Sequence, residues 1–148
     1  MISVGCRSLY AALVALFGTL RTRATPQGSA NALAKSETFS ADQMSSSTTA
    51  NGGKRWEILH GVLPTGETVA LHASMQPAGS PANPPHSIQH TEVILVQEGA
   101  MLFEYDGKSA RVGAGGVIFV AFGTMHSARN IGDTPAKYFV LAIGGDTK

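Results

Sequence analysis

The stretch Pro84-Pro-His-Ser-Ile-Gln-His-Thr-Glu-Val-Ile-Leu-Val-Gln-Glu-Gly99 decides how the rest of the chain is read. His86, His90 and Glu92 stand at even positions just ahead of the apolar run Val93-Ile-Leu-Val96. In an extended chain, side chains two residues apart point to the same side of a sheet. His90 and Glu92 therefore share a face, and His86 joins them unless the proline-rich start breaks the alternation. Imidazole and carboxylate side by side form a donor set for a divalent metal.

Working outward, short strands alternate with turn signals from Lys54 to the end. Strands are expected at 55–63, 68–75, 92–97, 100–105, 108–112, 117–121, 126–131 and 136–143. The loop 77–85 holds four prolines, which exclude helix. Asp106-Gly107 is a two-residue hairpin signal. Val117-Ile-Phe-Val120 is apolar on both faces, which predicts a central strand. With no helical periodicity, the pattern is that of an all-β sandwich or barrel.

A chain of 148 residues that is 43% hydrophobic suits one domain with a packed core. Its formal net charge of +1 gives no electrostatic case for nucleic acid or an anionic membrane. Arg7 followed by the uncharged run Leu9–Leu20 reads as a signal peptide over residues 1–24, with a secreted or periplasmic product. A transit peptide is the competing reading. The run is too short for a membrane span of roughly 20 residues. Cys6, the single cysteine, would leave with that segment, so no disulfide is expected. Residues 25–53 are rich in Ser, Thr, Ala, Asn and Gly and read as a disordered linker, with a turn or edge strand possible near 38–44. The folded domain is then 54–145.

Two segments now resemble the paired motifs of the cupin superfamily. In the first, His86, Glu92 and Gly99 match a His, a Glu and a closing Gly. In the second, Gly115, Gly123, His126 and Asn130 fall in place, and residues 100–114 separate the two. Three positions depart from the pattern: Ile88 replaces the second motif histidine, Ala121 replaces a proline, and Gly79 lies one residue too far from His86. The resemblance implies a small jelly-roll barrel that pairs as a homodimer and holds a small organic molecule. It also implies a metal, of Fe, Mn, Zn, Ni or Cu type, on His86, Glu92 and His126. His90 is expected either as a substitute fourth ligand or as an acid/base group beside the ion. Oxygenase, isomerase and lyase chemistry all remain open, as does a metal-free binding or sensing role marked by Ile88. A germin-like storage role is a weaker third reading. His60 and His72 read as surface or core residues, with barrel lining left open for His72, and Tyr138 and Phe103 read as core or cavity lining.

Overall fold

The computed structural model describes residues 31–147, so the expected targeting segment 1–24 lies outside the described residues. Ten strands follow in order: β1 (Ser46–Thr48), β2 (Lys54–Val62), β3 (Thr68–Gln76), β4 (His86–Ser87) and β5 (Thr91–Glu98) lead. They are followed by β6 (Ala100–Tyr105), β7 (Lys108–Gly113), β8 (Val117–Val120), β9 (Met125–Asn130) and β10 (Ala136–Ile143). They form two antiparallel sheets, ordered β1-β2-β3-β10-β5-β8 and β4-β9-β6-β7. No α-helix occurs among the described residues; a three-residue 3-10 turn at Ala41–Gln43 is the one helical element there. The all-β jelly-roll expectation holds.

Alternation builds the core between the sheets. Ile94 and Val96 on β5, Phe103 on β6, Ile118 and Val120 on β8 and Val140 on β10 are buried. Their neighbours along each strand point outward. The β6–β7 hairpin forms at Asp106-Gly107, where both residues have positive φ (47° and 73°). That is the backbone of the tight turn whose twist matches the strands it joins. Gly99 turns the chain from β5 to β6 at φ 77°, and a Cβ there would lie 2.8 Å from Ala136 Cα.

Two features depart from expectation. β8 is not central: it is the open edge of the six-stranded sheet, with Val117 and Phe119 58% and 67% exposed. In a two-layer fold each sheet is covered on one face only, so a strand apolar on both faces leaves one apolar face bare. Within the Ser/Thr-rich stretch 25–53, residues 46–48 pair with β2 through backbone bonds although all three are exposed.

Candidate functional site

Strand pairing brings three of the expected donors to one cavity. β4 pairs with β9 so that His86 lies opposite His126, their ring centroids 4.6 Å apart. Glu92 arrives from the other sheet, on β5. His86 therefore faces Glu92 across the barrel instead of sharing its strand face, because β4 and β5 belong to different sheets. The three line a cavity of about 180 Å³ together with Arg55, His72 and Tyr138.

Two backbone carbonyls set the imidazoles. Nδ1 of His86 lies 3.1 Å from Pro84 O, and Nδ1 of His126 lies 3.0 Å from Thr124 O. A carbonyl can only accept, so both Nδ1 atoms carry a proton, and in the neutral ring each Nε2 is the atom that holds the lone pair. His126 is buried, and its Nε2 stands 4.0 Å from Glu92 Oε2. The donors thus fit a divalent ion in kind: two imidazole nitrogens and one carboxylate. They are not gathered tightly, since no three His, Cys, Asp or Glu side chains among the described residues stand close enough to grip an ion as placed.

His90 has a different setting. Its Nε2 is 3.0 Å from Glu92 Oε1 and its Nδ1 is 2.8 Å from Asp146 Oδ1. Burial pushes its pKa down, but hydrogen bonds and charge from Asp146 and Glu92 outweigh this and leave it raised. When protonated, His90 donates to a carboxylate from each ring nitrogen, and in this arrangement those nitrogens face Asp146 and Glu92. It lines an adjoining recess of about 220 Å³ with Glu92, His72, Arg55 and Asp146, outside the lining of the cavity that holds His86 and His126. Ile88 is 8% exposed and packs into the apolar cluster with Ile94, Phe103 and Val140.

Other residues complete the surroundings of the donors. His72, for which barrel lining was the open alternative to a surface or core place, lies half-buried in the cavity wall, while His60 is exposed. Burial, helped by the Arg55 charge, lowers the His72 pKa to about 4. Burial raises the Tyr138 pKa, so its phenol stays protonated; its hydroxyl accepts from Gln76 Nε2 at 3.2 Å. Asn130 is structural: its Nδ2 donates to Gln76 O and Thr134 O, and its Oδ1 accepts from Gly132 N. Asp146 lies one residue past the expected domain end. Its one signal is Gly144-Gly145, both at positive φ, which turn the tail back toward Gln89 and His90.

Comparison with known proteins follows the same line. A family model described as a cupin domain matches residues 71–143. An RmlC-like cupin from Shewanella frigidimarina superposes with a TM-score of 0.61 at 22% identity, covering 75% of this chain and 94% of that one. KdgF from a Halomonas species gives 0.63 at 18% identity over 76% and 97%. A predicted oxalate decarboxylase from Thermotoga maritima gives 0.59 at 21% identity over 72% and 98%. At these identities the likeness is one of fold. No curated protein matches the chain closely. No helix among the described residues is long and apolar enough to cross a membrane.

Proposed function

The chain is a member of the cupin superfamily, and we propose that its barrel binds a small polar organic molecule beside a divalent metal ion held by His86, Glu92 and His126. The observation that carries this is the pair of Nδ1–carbonyl bonds, which aims two Nε2 lone pairs into a cavity that also holds a carboxylate. Backbone-fixed tautomers of this kind orient ligating histidines in metal sites. When bound, such an ion supplies Lewis-acid or O₂-activating chemistry at its open positions.

The chain's own groups then divide the remaining work. His90, clamped by Asp146, holds one Glu92 oxygen and leaves the other facing His126. His72 is neutral at ordinary pH and offers a hydrogen bond without charge. Tyr138 keeps its proton. Which reaction follows, among oxygenation, isomerisation and lysis, is set by the ligand and not by the fold.

Metal content measured after reconstitution tests the reading. His86→Ala and His126→Ala should each lose stoichiometric metal, and His90→Gln should weaken affinity by about 10–100-fold as a group outside the ligand set. Retention of full metal by both alanine variants sinks it. A second reading, a metal-free binder, is favoured by Ile88 in the apolar core and by the Glu92 oxygen already satisfied by His90. Wild-type protein that takes up an organic ligand but no metal selects it. Export is part of the proposal on the strength of Arg7 and the Leu9–Leu20 run; a secreted product beginning near residue 25 by mass spectrometry is the expected result.

A further inference from the structure

Arg55 is the one lysine or arginine lining either the cavity or the adjoining recess among the described residues. Strand register explains how it gets there. Arg55 lies opposite Ser74 on β3, and Ser74 lies opposite Tyr138 on β10. The three form one row across the inner face of the large sheet, on the wall that carries Glu92 further along. Its charge reaches into the cavity, where it bears on both His72 and Tyr138.

Its guanidinium is also held in a definite pose. Nε and Nη2 both donate to the Glu57 carboxylate, the latter at 3.2 Å. A guanidinium has five N–H donors. Three of them, on Nη1 and Nη2, are left without a protein partner among the described residues. Glu57 thus fixes one edge of the fork and leaves the other edge for a second, two-pronged contact, the arrangement arginine makes with carboxylates.

We propose that Arg55 anchors an anionic group of the ligand, so that the molecule taken into this barrel is a small organic acid. Its carboxylate lies on the free edge of Arg55, and Glu57 is a positioning residue. This rests on the reading that the cavity binds a small molecule, and it names the class of that molecule.

Calorimetric titration with malonate, succinate and glutarate, and with the matching diamides, tests the assignment on chelator-treated and metal-loaded protein. At least one acid should bind the wild type and its diamide should bind at least tenfold more weakly. Arg55→Gln should lower affinity for the acid at least tenfold without changing that for the diamide. Arg55→Lys, which keeps the charge and loses the fork, should fall between them and guards against a misfolded variant. Metal affinity of Arg55→Gln, measured without acid, should not fall below that of the wild type, because the substitution removes a positive charge from the same lining as Glu92. Acid binding unaffected by Arg55→Gln, equal binding of acid and diamide, or no saturable binding of any acid overturns the proposal. The two readings separate cleanly. Arg55-dependent acid binding without metal uptake removes the metal and keeps the anchor; metal uptake with Arg55-independent binding does the reverse.

Discussion

Acid should weaken this fold through His72, and the size of the effect follows from where the ring sits. His72 is packed on the inner face of β3, with its pKa lowered to about 4 from 6.5 chiefly by burial and then by the positive charge of Arg55. Glu57 and Glu92 pull the other way and lose. In the unfolded chain the ring takes up a proton as pH falls below about 6.5. The folded chain resists protonation until about 4. Over that window the unfolded state binds more protons, so stability is full above the upper value and declines as pH falls toward the lower. The gap corresponds to at most ~3.5 kcal/mol at about 1.4 kcal/mol per tenfold. Because the ring is only partly buried, solvent screening reduces the expected loss to ~1–2 kcal/mol between pH 7 and 5. His90 acts in the opposite sense, since its raised pKa adds stability below 6.5 that is lost as pH climbs through the folded value. Comparing wild type with His72→Gln cancels that contribution along with the common carboxylates. Urea unfolding at pH 7 and 5 should show the wild type losing ~1–2 kcal/mol more than the variant. Equal losses, within about 0.3 kcal/mol, would refute the account.

Three further perturbations test other parts of the structure. Ile88→His places an imidazole beside the candidate donors, and competition with a chelator should show at least a tenfold gain in metal affinity. The metal-free variant should be less stable by roughly 2–3 kcal/mol, because a polar ring replaces a buried aliphatic side chain; unchanged affinity shows that position 88 does not face the ion. Gly145→Ala puts a Cβ 1.6 Å from Gln89 O at φ +58°, so the tail must shift and Asp146 must leave His90. NMR titration should then find the His90 pKa lowered, with a stability loss of about 1–2 kcal/mol. A homodimer is expected through the bare outer face of the β8 edge, and Phe119→Lys should convert it to monomer in sedimentation experiments without loss of fold, given that Phe119 is 67% exposed. A wild type that sediments only as monomer at micromolar concentration removes that expectation.

The sequence made the strands legible wherever alternation and turn chemistry agreed. Asp106-Gly107 located its hairpin to the residue, and β10 from Ala136 to Ile143 was bounded correctly because Pro135 and Gly144 flank it. Alternation could not say which of two sheets a strand joins, so His86 and Glu92 were placed on one face when they meet across the barrel. It also failed at the bulge in β2, where the register shifts between Glu57 and Leu59. An extra residue reverses which side chains face inward, so Arg55 could not be assigned to the cavity by counting. β1 was hidden for another reason: it is held by backbone hydrogen bonds alone, with no buried side chain to leave a pattern.

What the sequence showed least is the balance of charge around the donors, and that balance bears on the ligand. With their Nδ1 protons on backbone carbonyls, His86 and His126 in the neutral form offer Nε2 to an ion, and His72 is kept neutral by burial. His90 and Asp146 form a charged pair at 2.8 Å, and Arg55 and Glu57 form another. The carboxylate of Glu92 is then the one unbalanced charge. Without an ion, the site is mildly acidic and holds an anion only by way of the free edge of Arg55. With a divalent ion on Glu92, the cavity carries a net positive charge that an organic acid would neutralise. The same ligand class therefore suits both states, but its affinity should rise when metal is added and fall with Arg55→Gln in either state. That pattern ties the two ends of the cavity to one molecule, and neither end alone would produce it.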